Sequence, residues 1–383
     1  MRRTSDHRVL ADRIDSAACR ALLRDGSRSF FAASLVLPGS VREPATALYA
    51  FCRVADDAVD EGRDRHAAVE DLRRRLNLIY AGTPADIAAD RAFADVVAHY
   101  AIPRRFPEAL LEGFAWDAEH RRYADLDALI GYAVRVAGTV GAMLAMVMGV
   151  RDAQLLARAC DLGVAMQLTN VARDVGEDAR CGRLYLPVDW MRRAGLDPQA
   201  WLRAPTFDSR LAGLVADLLA AADRLYRRAD EGIARLPMNC RPGMHAARLL
   251  YSEIGREIER QGYDTVNRRA VVGWRRKARV LGDGVLAAAR GATRPCAEGP
   301  LPQAGFLFEA PLDSQPSASG RAPADLPSAR ERARWPGIQD RMVWLIGLFE
   351  RLERLERLAR AQSPGHPERQ QILHPASAEA IER

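Results

Sequence analysis

Lysine is almost missing from this chain: Lys277 stands alone among 56 basic residues, so the positive charge is almost entirely guanidinium. A formal charge of +6 and a pI near 9.2 are mild for 383 residues. With no basic run to form a patch, nucleic acid is not expected as a partner, and the slight excess suits anionic substrates or a weakly attractive anionic membrane. Cysteine is sparse too. Cys19, Cys52, Cys160, Cys181, Cys240 and Cys296 are scattered without zinc spacing, and the seven histidines form no H-E-x-x-H, which fits a reduced, cytoplasmic protein. Met1-Arg2-Arg3-Thr4-Ser5-Asp6 lacks the apolar core of a signal peptide. The longest apolar stretch, Val136 to Val150, falls short of a ~30 Å bilayer core at ~1.5 Å per residue. It reads as a buried helix whose Gly138 and Gly141 admit a close neighbour or ligand. No G-x-G-x-x-G fingerprint is found on a strand, so nothing points to a Rossmann-type dinucleotide site.

What is present is carboxylate in a pattern. Arg53-Val54-Ala55-Asp56-Asp57-Ala58-Val59-Asp60 and Asn170-Val171-Ala172-Arg173-Asp174-Val175-Gly176-Glu177-Asp178 both lie in Ala/Leu/Val-rich context that reads as helix. Asp56 and Asp60 are one turn apart on one face, and Asn170, Asp174 and Asp178 make a second oxygen-bearing stripe. A lone Asp-x-x-x-Asp is ordinarily a solvated face, but both segments follow strongly apolar runs, Leu48 to Cys52 and Leu162 to Leu168. Carboxylates crowded beside buried surface repel one another unless paired or bound to a metal. Two such stripes facing each other would hold Mg2+ or Mn2+ through few carboxylates, with substrate phosphate and water completing the shell. Arg53 and Arg173 are either ion-pair partners of these acids or bidentate phosphate contacts.

The segment from Ala165 through Asp178, closing with Gly182-Arg183-Leu184-Tyr185-Leu186-Pro187, resembles the second signature of the squalene/phytoene synthase family. Ser27-Arg28-Ser29-Phe30, Tyr49 to Asp60, Val136-Ala137-Gly138-Thr139-Val140-Gly141 and Gly262-Tyr263-Asp264 to Arg269-Ala270 are similar to its other motifs in the same order, over about residues 16 to 280. The pattern is most similar to the bacterial branch that serves carotenoid biosynthesis. The resemblance implies an all-α, single-domain isoprenoid-synthase-like bundle with a central cavity. It also implies a metal-dependent prenyltransferase joining two geranylgeranyl diphosphates head to head into phytoene through a cyclopropylcarbinyl diphosphate, without NADPH. Asp56, Asp60, Asn170, Asp174 and Asp178 are then the metal ligands, and Asp56, Asp60, Asp174 and Asp178 the catalytic acids. Ser27, Ser29, Arg53, Arg173 and Arg269 contact diphosphate. Phe30, Tyr49 and Tyr251 lie near the hydrocarbon, and Gln167 faces the cavity. Asp117 fits a family position without an assigned role. Two departures stand out: Tyr132-Ala133-Val134 keeps only the first tyrosine of a common Tyr-Cys-Tyr, and Gly273 replaces a common serine.

Helical periodicity runs to about residue 285, with boundaries at Pro38-Gly39, Gly82-Thr83-Pro84, Ile102-Pro103, Asp197-Pro198 and Arg241-Pro242-Gly243. We expect a catalytic domain over 1–290, a flexible Pro/Gly/Ser-rich linker over 291–330, and an amphipathic helix and tail over 331–383. That helix, about Ile338 to Gln362, pairs Glu350/Arg354, Glu353/Arg357 and Glu356/Arg360, a balance that suits packing on the main domain, self-association or a protein partner. A cytoplasmic location is expected, with peripheral attachment to the inner membrane as the alternative. Small side chains at Ser34 and Thr46 are expected to line the prenyl cavity and set chain length. The alternatives in function are a C15-using squalene or dehydrosqualene synthase and a non-catalytic assembly relative.

Overall fold

The computed structural model describes residues 15–25, 34, 37–60, 62, 64–273, 275–277, 279–280 and 298–310. Five helix starts are written in the sequence as aspartates. Asp64, Asp125, Asp152, Asp197 and Asp208 each stand just outside a helix, and a carboxylate oxygen accepts a backbone N–H from its first turn at 2.6–3.0 Å. Such a cap satisfies an otherwise orphaned donor and contributes ~1 kcal/mol. Pro198 and Pro242 open two helices at positions where a missing N–H costs nothing.

The elements in order are α1 (residues 15–25), α2 (Gly39–Asp60), α3 (Arg65–Tyr80), α4 (Ala88–Tyr100), α5 (Arg105–Ala118), α6 (Leu126–Ala133), a π turn (Val134–Gly138), α7 (Thr139–Val147), α8 (Ala153–Arg180), α9 (Val188–Arg193), α10 (Pro198–Arg203), α11 (Ser209–Arg235), α12 (Arg241–Arg260) and a 3-10 turn (Pro302–Leu307). There is no strand among the described residues, as an all-α reading requires. The five turn signals in the sequence all fall at helix ends.

The longest helix, α8, runs through the middle and packs on α11, α12, α7 and the π turn. Its fit depends on missing side chains. A Cβ on Gly163 would collide with the Ala137 carbonyl, and one on Gly141 with the Ala159 carbonyl, so α8 approaches the π turn and α7 backbone to backbone. Gly138 likewise accommodates Cys160 Sγ, so the close neighbour anticipated for Gly138 and Gly141 is α8. One continuous apolar core results, with the Phe51 and Phe93 rings stacked at 4.3 Å and Phe106, Leu110, Leu156, Leu168 and Leu218 fully enclosed.

The apolar stretch is longer than its composition suggested. Helix continues from Leu126 to Val147, 22 residues with mean hydropathy 1.6, enough in length and composition to cross a bilayer. In this fold it is a core element: Leu129, Ala133, Val134, Ala142 and Met143 are completely buried.

The expected linker needs a correction. Residues 298–310, inside the 291–330 stretch, are docked as a strap: Leu307 and Ala304 are buried, and Phe308 meets Phe106 edge-on at 6.1 Å. Arg105 Nε donates to Leu307 O at 2.8 Å, while Arg158 and Arg228 both donate to Gly299 O at 2.8 Å. Proline and glycine there serve a tight 3-10 turn carrying Leu301, Phe306, Leu307 and Phe308, an apolar content that outweighs the linker-like composition. The rest of the linker and the 331–383 helix and tail lie outside the described residues.

One ion pair is locked inside the bundle. Arg75 donates to both oxygens of Asp90 at 2.8 and 2.6 Å, and Asp90 is completely buried. Removing one partner leaves the other charge uncompensated. Asp90→Ala should therefore cost about 3 to 5 kcal/mol in urea denaturation; a change below about 1 kcal/mol, the range of exposed pairs, would contradict this.

Candidate active site

Two helices bring the acid stripes to one cavity. Asp56 on α2 and Asn170 on α8 both line a cavity of about 330 Å³, together with Arg53, Gln167, Asp117, Tyr49, Tyr132 and Tyr251. Asp60, and Asp174 and Asp178, follow at one-turn intervals on the same helices. The remaining wall is apolar: Leu48, Phe114, Val136, Leu144, Leu162, Met166 and Met244. Of the residues expected at the substrate, Tyr49, Arg53, Gln167 and Tyr251 line this cavity. Ser27, Ser29 and Phe30 lie outside the described residues.

Each stripe is electrostatically coupled within itself, and both are coupled to Asp117. Burial, then the negative charge of Asp60, pushes the Asp56 carboxyl up to about 7, although solvent still reaches 44% of its side chain and moderates the effect. Burial followed by Asp174 does the same to Asp178, also to about 7. Asp117 feels Asp60 and in turn acts on both Asp56 and Asp178, so it stands between the stripes.

Every stripe is held by arginine. Arg53 pairs with Asp57 at 2.6 Å and reaches Asp56 at 3.7 Å. Arg173 grips Asp174 through two bonds of 2.8 and 2.5 Å, and Arg269 joins it at 3.0 Å while also pairing with Glu177 at 3.3 Å. Arg183 crosses to Asp60 on α2. Local backbone explains both of the last two reaches. Helix α8 ends at Cys181 followed by Gly182 at φ 75°, a left-handed turn that folds Arg183 back, with its N–H on Asp178 O at 2.8 Å. Gly176 lets the loop after α12 lie against α8: its N–H donates to Thr265 O at 3.0 Å, and a Cβ there would strike Val266.

Behind the stripes lies a tyrosine cluster that the sequence did not assemble. Tyr132 and Tyr185 donate to the two oxygens of Asp117 at 2.8 and 2.6 Å, with their rings stacked at 5.2 Å and Tyr123 packed on both. Burial raises the Asp117 carboxyl, the hydrogen bonds from Tyr185 and Tyr132 pull it back, and the balance rests at about 6. Tyr185 and Arg183 both belong to the Gly182-to-Pro187 motif, which was the available signal. Val134, at the departure from the common tyrosine, is fully buried in the π turn, and Tyr132 supplies the hydroxyl at the cavity.

The chain-length expectation is corrected. Ser34 and Thr46 line a separate cavity of about 170 Å³ beside α1, where Thr46 Oγ1 donates to Arg42 O at 2.7 Å. Its neighbours Ala45 and Leu48 line the main cavity instead, because each residue step turns a helix by roughly 100°.

The donor set fits a hard divalent cation. Asn170 Oδ1 is buried with no hydrogen-bond partner and lines the cavity with Asp56, whose carboxyl is raised by burial. Among the described residues no three His, Cys, Asp or Glu side chains converge as a ready-made cage, so phosphate and water would have to complete coordination.

Between the unfolded value of 3.8 and about 7, Asp56 and Asp178 hold a proton in the folded chain but not in the unfolded one. Their contribution to stability is therefore full below the unfolded value and lost as pH rises through about 7. Thermal melts in chelator should show a fall in Tm from about pH 5 to about pH 8 that is shallower in Asp56→Asn/Asp178→Asn, and equal slopes would refute the assignment.

Comparison with known proteins gives a consistent picture. The family model for squalene/phytoene synthase matches residues 23–276. A phytoene synthase from Cereibacter sphaeroides is 51% identical over 327 residues, covering 81% of this chain and 91% of that protein. One from Rhodobacter capsulatus is 56% identical over 259 residues, covering 67% and 76%. Among solved structures, a dehydrosqualene synthase in complex with ligand superposes with a TM-score of 0.67 at 30% identity, covering 73% of this chain and 98% of that one.

Proposed function

The chain belongs to the squalene/phytoene synthase family, and on that footing we propose that it joins two geranylgeranyl diphosphates head to head into phytoene, releasing two diphosphates, in carotenoid biosynthesis. The observation that carries this reading is one cavity with two chemistries: an acid- and arginine-lined end, and a long apolar remainder suited to prenyl chains. The relatives at 51% and 56% identity are phytoene synthases, while the dehydrosqualene synthase structure is at 30%, which favours C20 over C15 substrates.

Asp56, Asp60, Asn170, Asp174 and Asp178 would hold Mg2+ or Mn2+. Bound there, the metal supplies Lewis-acid neutralisation of the diphosphate as it leaves carbon. Arg53, Arg173 and Arg269 exchange carboxylate partners for phosphate oxygens when substrate arrives, Arg173 and Arg269 keeping the bidentate geometry they have on Asp174; Ser27 and Ser29 are the further diphosphate contacts in this reading. Loss of the first diphosphate leaves an allylic cation, which the double bond of the second substrate attacks; loss of a proton from that substrate to the released diphosphate closes the three-membered ring and gives the cyclopropylcarbinyl diphosphate. A second ionisation, rearrangement and proton loss then give phytoene. The chain's task through these steps is to exclude water and nucleophiles. Leu48, Val136, Leu162 and Met166 provide a dry wall, and Tyr49 and Tyr251 present aromatic faces to passing positive charge. Asp117 engages the O–H groups of Tyr132 and Tyr185 and fixes their orientation.

The reaction as proposed ends in proton loss and needs no NADPH. A hydrocarbon product favours a cytoplasmic protein that delivers it at the inner-membrane surface. Purified protein given magnesium and C20 diphosphate should make phytoene with or without NADPH and should use the C15 diphosphate less well. A C30 product as the main outcome would refute the substrate assignment. Asp56→Asn or Asp174→Asn should lower kcat by at least about 100-fold, the scale of removing one group that stabilises developing charge, with circular dichroism unchanged. Near-normal rates at saturating magnesium would contradict the roles given to these carboxylates.

A further inference from the structure

The strap lies outside the cavity yet touches the element that forms its wall. Arg135 sits on the π turn, and the next two residues, Val136 and Ala137, line the cavity. Its guanidinium lies over the Trp116 ring of α5 at 4.3 Å and over the Phe306 ring of the strap at 5.0 Å. The same side chain pairs with Glu112 of α5 at 2.8 Å and donates to Gly131 O at 3.0 Å. Trp116 is the immediate neighbour of Asp117, which engages Tyr132 and Tyr185. One cation thus ties α5, the π turn and the strap together on the outer side of the wall.

We propose that residues 298–310 brace the cavity wall through Arg135, making Phe306 and Arg135 positioning residues for the hydrocarbon chains. A π turn is a wide, weakly held piece of helix, and such turns persist where surrounding contacts fix them. Here the inner side faces the cavity, so fixation must come from outside. Gly163 provides it by close backbone contact with Ala137 and Gly113 by seating the Val136 and Arg135 side chains, and the Arg135 guanidinium adds an adjustable polar clamp. The strap is independently anchored: Gln303 donates to Asp127 at 2.9 Å, Arg105 donates to Leu307 O and Ala310 O, and Arg228 pairs with Glu298. Phe306 is therefore presented to Arg135 by a fixed segment. Loosening the clamp leaves the acid end intact and lets the wall shift against the chains, so the effect falls on which chains fit and on whether the cyclopropylcarbinyl diphosphate is retained until the second ionisation.

This inference rests on the phytoene-forming reading, and the test separates the two. In full-length protein, Phe306→Ala and Arg135→Gln should show faster amide hydrogen exchange in peptides covering residues 131–141, with α3 and α4 unchanged and melting behaviour close to wild type. With C20 diphosphate they should raise the share of turnover released as cyclopropylcarbinyl diphosphate, or lower the C20-to-C15 ratio of kcat/KM, by about two- to fivefold, the weight of one cation–π contact. Arg135→Lys, which keeps the cation, should recover part of both effects. Unchanged exchange in 131–141 overturns the brace even if wild type makes no phytoene, a result that on its own would overturn only the functional reading. Faster exchange with product partition and substrate ratio both unchanged would also overturn it, because the strap would then be stabilising structure alone. If Arg135→Gln fails to fold, Phe306→Ala decides, since that ring is already 37% exposed.

Discussion

The constraint on which the rest of the structure depends is mutual neutralisation at the mouth of an apolar cavity. Burial and then the acid one turn away on the same helix raise the proton affinity of Asp56 on α2 and of Asp178 on α8, and guanidinium groups from four segments hold the two stripes in place. Neither charge set would be stable there alone, because burying unpaired charge is far costlier than any single contact returns. Together they form a surface whose arginines can turn to phosphate and whose acids can turn to metal.

That surface is only as good as the backbone that carries it. Helix α8 carries three of the five proposed oxygen ligands, and its closeness to the π turn and α7 rests on Gly163 and Gly141, where any side chain would strike a carbonyl. The same approach sets Val136, Ala137, Leu162 and Met166 around one cavity. Chemistry at the mouth and shape in the interior therefore share one structural cause.

Much of this was legible in the residues. One-turn spacing placed Asp56 with Asp60 and Asn170 with Asp174 and Asp178 on single helix faces, and proline and glycine marked the helix ends. Other features were invisible because they depend on pairings distant in sequence. Nothing local ties Asp117 to Tyr132 and Tyr185, or Arg183 to Asp60, and Arg53 and Arg173 read equally well as ion-pair or phosphate residues. Thr46 was misplaced because a helix face cannot be fixed to one residue without knowing its neighbours. The strap was misread because composition reports proline and glycine content but not the few apolar side chains that dock. The tyrosine missing at Val134 loses its force once that position is seen in the core.

If neutralisation is the organising principle, metal and diphosphate must bind together, since each releases the groups that hold the other's ligands. Isothermal titration of magnesium into the protein, with and without inorganic diphosphate, tests this directly. The account predicts weak binding of magnesium alone, a rise in affinity of at least about tenfold (roughly 1.4 kcal/mol) with diphosphate present, and loss of that synergy in Asp174→Asn. Equal affinity with and without diphosphate, or full synergy in Asp174→Asn, would contradict it.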